Sequence, residues 1–136
     1  MDRDQTAGLV LIVEDNPANL LLARVMLERS GWQISEARSA DEARQTLQTT
    51  TPDVILMDVG LPGQDGLSLT SELKSASDTS AIPIVALTAH AMQSDREKAF
   101  AAGCDGYLSK PFKAQQLRDE ISRVLQTSSR ADRQAD

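Results

Sequence analysis

The chain has 136 residues, a formal net charge of −6 and a hydrophobic fraction of 40%, which is typical of one soluble globular domain. The acidic charge argues against nonspecific nucleic-acid binding, and no apolar run approaches the roughly 20 residues of a membrane span. The polar start is unlike a signal peptide, and a single cysteine excludes an intrachain disulfide, so we expect a cytoplasmic protein.

Short apolar runs alternate with amphipathic stretches along the whole chain, which is typical of repeated strand–helix units. The predicted strands are residues 9–13, 32–37, 53–57, 82–87 and 105–109. The predicted helices begin near residues 17, 40, 66, 91 and 113, and the last one ends near Gln126. These boundaries predict one domain over residues 8–126, with flexible termini at 1–7 and 127–136.

Five consecutive strand–helix units require right-handed crossovers between parallel strands. Two strand orders satisfy that requirement. The flavodoxin-like order 2-1-3-4-5 places the first, third and fourth strands side by side, with their carboxyl ends at one edge. We therefore expect an α/β fold of three layers, a flavodoxin-like (βα)5 sandwich with that order.

Reactive side chains follow four of the predicted strands. Glu14 and Asp15 follow the first strand, Asp58 the third, Thr88 the fourth and Lys110 the fifth. Each has an ordinary structural explanation, such as favourable charge at a helix start, a loop cap or a solvated lysine. Because all of them fall at the same predicted edge of the sheet, a functional site is the better interpretation.

Three carboxylates at one edge repel each other unless a cation binds there. Oxygen ligands without histidine or cysteine favour Mg²⁺, with Mn²⁺ as a substitute, over zinc. Lys110 and Thr88 suit phosphoryl oxygens, one by charge and the other by hydrogen bonding. A carboxylate can attack phosphorus, and Asp58, which is central and alone at its strand end, is the best candidate nucleophile.

Four segments in order support a resemblance to a known family: residues 12–16 (IVEDN), 58–66 (DVGLPGQDG), 86–89 (ALTA) and 103–112 (GCDGYLSKPF). With this spacing the chain resembles the CheY-like receiver domain of two-component response regulators. The resemblance covers about residues 8–126 and fits a single-domain regulator or a receiver cut from a hybrid kinase.

The resemblance implies that Asp58 accepts a phosphoryl group from the phosphohistidine of a sensor histidine kinase or histidine phosphotransfer protein. It implies direct Mg²⁺ ligation by Asp15, Asp58 and the backbone carbonyl of Gly60, with Glu14 bound through water. Lys110 would pair with Asp58 and bind a phosphoryl oxygen. The domain would be a signalling module and not an enzyme, since it catalyses only its own phosphorylation and dephosphorylation.

The resemblance also implies a switch between two arrangements. Thr88 would turn toward the phosphate, Tyr107 would occupy the vacated space, and the surface of the fourth helix, fifth strand and fifth helix would change for a downstream protein target. It implies a cis Lys110–Pro111 bond and a monomer or weak dimer that contacts neither nucleic acid nor membrane. The candidate positions for kinase docking are Asn16, Ala18, Asn19, Leu20, Pro111 and Phe112.

Three other functions are open on the sequence. A phosphatase of the haloacid-dehalogenase type requires a second acid two residues after the nucleophile, where this chain has Gly60. A flavodoxin-like flavin carrier is disfavoured because Glu14 and Asp15 would repel a flavin phosphate. A receiver-like docking module that acts independently of phosphorylation is the main alternative. His90 could orient a hydrolytic water, although a solvated loop histidine is the more ordinary interpretation.

Overall fold

The computed structural model describes residues 8–61, 65–89 and 93–135. Its strands are β1 (Gly8–Val13), β2 (Trp32–Ala37), β3 (Val54–Asp58), β4 (Ile84–Thr88) and β5 (Gly106–Ser109). Its helices are α1 (Pro17–Glu28), α2 (Ala40–Thr49), α3 (Gly66–Ser75), α4 (Gln93–Ala101) and α5 (Ala114–Ala135). None of these helices is long and apolar enough to cross a bilayer.

The five strands form one parallel sheet in the order β2-β1-β3-β4-β5. This order confirms the predicted flavodoxin-like fold. Every residue of β3 and β4 is buried, because helices cover both faces of the sheet. Apolar residues of α1 and α5 pack on one face, and those of α2, α3 and α4 pack on the other, giving three layers.

Side-chain caps start the helices that follow β1 and β3. The Asn16 side chain accepts hydrogen bonds from the backbone N–H groups of Ala18 and Asn19, at 2.9 and 3.0 Å, at the start of α1. Asp65 accepts from the N–H of Ser68 at 2.8 Å and starts α3. These caps satisfy amide groups that have no partner within the helix.

Several strand ends differ from the predicted ones by one or two residues, and two of these differences have a clear physical reason. β4 begins at Ile84 and not at residue 82, because the N–H of Ile82 donates to the Thr79 carbonyl at 3.1 Å in the preceding turn, and proline follows. β3 includes Asp58, because the hydrogen bonds between β3 and β4 continue past it: the N–H of Val59 donates to the Leu87 carbonyl at 3.0 Å. Asp58 is therefore held by the sheet itself.

The last helix is longer than the sequence indicated. We predicted an end near Gln126, but the backbone of α5 stays helical to Ala135, and no glycine or proline interrupts residues 114–135. The predicted end of this helix was therefore wrong. The flexibility of residues 127–136 stays a prediction, and residues 1–7 lie outside the described part of the chain.

Candidate functional site

The register of the strands places their carboxyl ends side by side. Asp58 on β3 is paired with Leu87 on β4, and Thr88 at the end of β4 is paired with Ser109 on β5. The residues that follow β1 and β5 join them at the same edge. We call this set, Glu14, Asp15, Asp58, Thr88 and Lys110, the carboxyl edge. The predicted meeting of these side chains is confirmed for the acids and the lysine by their distances.

The carboxyl edge holds three acids close together. Oxygen atoms of Glu14, Asp15 and Asp58 lie within 4.8 Å of one another. Glu14 and Asp58 are buried, with 2% and 6% of their surface exposed, whereas Asp15 is exposed. Carboxylates at this spacing favour a bound cation, and three oxygen donors with one side open to solvent fit Mg²⁺, which keeps water ligands.

Lys110 is the cation that faces these acids. Its Nζ donates to Glu14 Oε1 at 2.9 Å and to Asp58 Oδ1 at 3.4 Å. The other Glu14 oxygen accepts the N–H of Asn16 at 3.2 Å. The expected pairing of Lys110 with Asp58 is present, but the sequence did not indicate the shorter contact with Glu14.

Burial and charge oppose each other in the ionisation of this pair. Burial raises the pKa of Glu14, and the neighbouring Asp58 carboxylate raises it further, while Lys110 lowers it only in part. Burial alone would lower the pKa of Lys110, but the Glu14 and Asp58 carboxylates outweigh it, so the net pKa is raised. Lys110 is therefore a permanent cation at neutral pH.

Two glycines after Asp58 let the backbone pass close to its carboxylate and its carbonyl. The N–H of Gly60 donates to Asp58 Oδ1 at 3.0 Å, and a Cβ added at Gly60 would lie 3.8 Å from that same oxygen. A Cβ at Gly66, in contrast, would collide with the backbone carbonyl of Asp58. Gly66 therefore lets α3 begin directly against the main chain of Asp58. Metal ligation by the Gly60 carbonyl stays a prediction.

Thr88 and Tyr107, the expected switch pair, are in direct contact. Thr88 is buried at the end of β4, and its side chain is hydrogen-bonded to the Tyr107 hydroxyl. Tyr107 is half-buried against the core beneath α3 and α4. The N–H of Lys110 donates to the Thr88 carbonyl at 2.6 Å, which ties the end of β5 to the same residue. His90 lies outside the described residues.

A cavity of about 320 Å³ adjoins the carboxyl edge between α1 and the segment that joins β5 to α5. The expected cis Lys110–Pro111 bond is confirmed in that segment. The cavity is lined by Ile12, Glu14, Asn19, Leu22, Ala23, Leu87, Lys110, Pro111 and Phe112. Three of the predicted docking positions therefore meet here.

One docking candidate was wrong, and exposed neighbours were missed. Leu20 is 3% exposed and packs in the core, so it cannot contact a partner, whereas Leu21, Leu22 and Val25 are 60%, 50% and 38% exposed. The sequence carried a signal for this surface: three consecutive leucines on a helix cannot all face the core.

Comparisons with known proteins agree with this geometry. The family model of the response regulator receiver domain matches residues 10–122. The chain is 40% identical over 116 residues to the polar-differentiation response regulator DivK of Brucella ovis, covering 85% of this chain and 94% of that protein.

Solved structures of receiver domains also resemble this one. The receiver domain of the sensor histidine kinase PA1611 from Pseudomonas aeruginosa, described with a magnesium ion in its active-site cleft, is 37% identical, with a TM-score of 0.80 over 87% of this chain and 97% of that chain. The chemotaxis response regulator CheY4 of Vibrio cholerae is 28% identical, with a TM-score of 0.82 over 88% and 99%. The chain described above belongs to the receiver domain family of response regulators.

Proposed function

We propose that this domain accepts a phosphoryl group on Asp58 from the phosphohistidine of a sensor histidine kinase or a histidine phosphotransfer protein. The observation that carries the proposal is the surroundings of Asp58, a buried carboxylate within 4.8 Å of two further acids and 3.4 Å from the ammonium of Lys110. In the transfer, a carboxylate oxygen bonds to phosphorus, the phosphorus–nitrogen bond breaks, and the imidazole leaves.

The proposed cofactor is Mg²⁺, for which Mn²⁺ can substitute. Asp15, Asp58 and the Gly60 carbonyl would hold it directly and Glu14 through water, which agrees with the oxygen-only donor set and the exposed position of Asp15. When bound, the ion neutralises charge on the phosphoryl oxygens. The magnesium in the cleft of the PA1611 receiver supports the same assignment here.

The chain's own groups supply the rest of the proposed chemistry. The Lys110 ammonium, already 3.4 Å from Asp58, neutralises a phosphoryl oxygen as the new bond forms. The Gly60 N–H orients the attacking carboxylate through its 3.0 Å hydrogen bond. The Thr88 hydroxyl lies at the next strand end and would donate to the phosphate.

The apolar surface beside the site suits a helical phosphodonor. Leu21, Leu22 and Val25 expose apolar side chains on α1, and Leu22 and Phe112 line the cavity that Lys110 also lines. A partner helix packed here would bring the phosphohistidine that it carries close to Asp58. We place this exchange in the cytoplasm, because a single unpaired cysteine suits a reducing compartment.

The proposed output is a shift between two populated states. Phosphorylation adds charge and acceptor oxygens that draw Thr88 inward, so the Thr88–Tyr107 contact changes and Tyr107 moves. A downstream protein target then recognises the altered surface of α4, β5 and α5.

The test is phosphorylation of the full chain by acetyl phosphate with and without Mg²⁺, measured as the gain of one phosphoryl group by intact mass. The wild-type chain should gain it only with the metal, and Asp58→Asn should not gain it. An Asp58→Asn chain that is phosphorylated equally well contradicts the assignment. A wild-type chain that is never phosphorylated favours the phosphorylation-independent docking module.

A further inference from the structure

The backbone of Tyr107 is held by a side chain of α5. The N–H of Tyr107 donates to Glu120 Oε2 at 2.9 Å. β5 is the last strand of the sheet, so an outward N–H on it has no neighbouring strand to bond. Tyr107 is thus attached at two ends, by its hydroxyl to Thr88 and by its backbone to α5.

Gly106 leaves the space beside β5 that the Glu120 carboxylate occupies. A Cβ at Gly106 would lie 2.7 Å from Glu120 Oε2 and 2.9 Å from Val124 Cγ1, so only a glycine lets the carboxylate reach the strand. Arg123 fixes Glu120 from the other side, with Nε 3.1 Å from Oε1 and Nη2 2.8 Å from Oε2. The same Nη2 donates to the Asp105 carbonyl at 3.0 Å.

These contacts keep Glu120 charged. Burial would raise its pKa, but the hydrogen bonds from Arg123 and from the Tyr107 N–H outweigh burial and lower the pKa overall. An ionised acceptor makes a stronger hydrogen bond than a neutral one. The bond between Tyr107 and α5 is therefore charge-assisted.

We propose that Glu120 is the positioning residue that connects the Tyr107 switch to α5. The contacts run from Thr88 to the Tyr107 hydroxyl, and from the Tyr107 N–H through Glu120 to α5. When Thr88 turns toward the phosphoryl group and releases the Tyr107 hydroxyl, the displacement of Tyr107 reaches α5 through Glu120. The inference rests on the proposed phosphorylation of Asp58 and adds the element that transmits it.

The experiment is hydrogen exchange of the full chain, followed by mass spectrometry, before and after phosphorylation with acetyl phosphate and Mg²⁺. In wild type, phosphorylation should change exchange in residues 114–126. Glu120→Ala should reduce that change by about threefold or more, with the phosphorylation rate within about twofold of wild type. Glu120→Gln, which keeps an acceptor oxygen, should restore most of the change.

The matched control is Asp119→Ala, which removes an exposed carboxylate of the same helix that accepts a hydrogen bond from the Gln115 amide at 2.8 Å. It should behave as wild type. Gly106→Ala, which leaves the sequence of α5 unchanged and whose Cβ would lie 2.7 Å from Glu120 Oε2 and 2.9 Å from Val124 Cγ1, should reproduce the loss if Glu120→Ala is unstable. A phosphorylated Glu120→Ala or Gly106→Ala chain with the full α5 response overturns this inference alone. A wild-type chain that is not phosphorylated overturns the proposed function and this inference with it.

Discussion

Acids stand at both ends of the sheet, but their surroundings differ. At the end opposite the carboxyl edge, Asp53 accepts the N–H of Leu9 at 2.8 Å, and Asp105 accepts the N–H of Ile84 at 2.9 Å and pairs with Lys74 at 2.9 Å. We call Asp53, Asp105 and Lys74 the amino edge. Each of its acids bonds the backbone of a neighbouring strand, and within the described parts of the chain Lys74 pairs with one carboxylate, that of Asp105.

The carboxyl edge has a larger excess of acids, three to one lysine, against two to one lysine at the amino edge. Its three acids share one lysine, and the two buried carboxylates both lie against that lysine. An acid whose hydrogen bonds are made within the fold stabilises the fold, whereas acids that lack compensation attract a cation or a phosphoryl group. The comparison indicates that strand-end position alone does not distinguish a candidate functional carboxylate, and that the local ratio of acids to cations is the more informative criterion.

Removing the lysine of the carboxyl edge should give the largest effect on activity. Lys110→Met should slow phosphorylation by acetyl phosphate about 100-fold, because the ammonium that neutralises the phosphoryl oxygen is lost. The rate is measured by intact mass at saturating Mg²⁺. A Lys110→Met chain that is phosphorylated as fast as wild type would show that the lysine serves only to balance Glu14.

Removing the lysine of the amino edge should affect stability instead. Besides Asp105, Lys74 Nζ donates to the carbonyls of Ile82 and Ser80 at 2.7 and 3.3 Å. Lys74→Met should therefore lower the free energy of unfolding by about 2 kcal/mol. Urea denaturation measures this loss, and the phosphorylation rate should stay at the wild-type value. Slower phosphorylation in this variant would contradict the division between the two edges.

Metal should stabilise the chain through the carboxyl edge only. Mg²⁺ at ten times its dissociation constant should raise the free energy of unfolding by about 1.4 kcal/mol, because it binds the folded acids. Thermal unfolding with and without Mg²⁺ measures the gain, which Asp15→Asn should remove. Asp53→Asn is the matched control at the amino edge and should respond to Mg²⁺ as wild type does. Equal responses of the two variants would contradict the assignment.

The sequence was sufficient to predict the topology and the meeting of Asp58 and Lys110, because short apolar runs and the right-handed crossover rule constrain where strand ends fall. It could not predict the contact of Lys110 with Glu14. That contact depends on side-chain reach between residues that are 96 positions apart in the chain.

Contacts that backbone groups make with side chains could not be predicted from the sequence either. Glu120 lies among several charged residues of α5, and only the three-dimensional placement of Gly106 and Tyr107 distinguishes it from exposed neighbours. The start of β4 was predicted wrongly for a related reason. The N–H of Ile82 bonds to the Thr79 carbonyl in the preceding turn and not to a neighbouring strand, and an apolar run does not reveal which of these bonds forms.

The smallest expected effects concern two glutamates with opposite pKa shifts. Burial raises the pKa of Glu14, while Arg123 and the Tyr107 N–H more than offset burial at Glu120 and lower its pKa. The ionised form therefore costs stability at Glu14 and adds stability at Glu120. In metal-free buffer at pH 7, Glu14→Gln should be slightly more stable than wild type and Glu120→Gln slightly less stable, each by less than about 1 kcal/mol.

Low pH should abolish both differences in the free energy of unfolding between the variants and wild type. The sign of each change with pH follows from the direction of the pKa shift. The Glu120 contribution is complete above the ordinary glutamate pKa of about 4.3 and is lost as the pH falls through its lower folded-state value. The Glu14 penalty develops as the pH rises from about 4.3 through its higher folded-state value. Urea denaturation of the two variants and wild type across this range measures both curves. Curves of the same sign would mean that Glu14 is as well compensated as Glu120, and the carboxyl edge would then have no excess of negative charge with which to attract a cation.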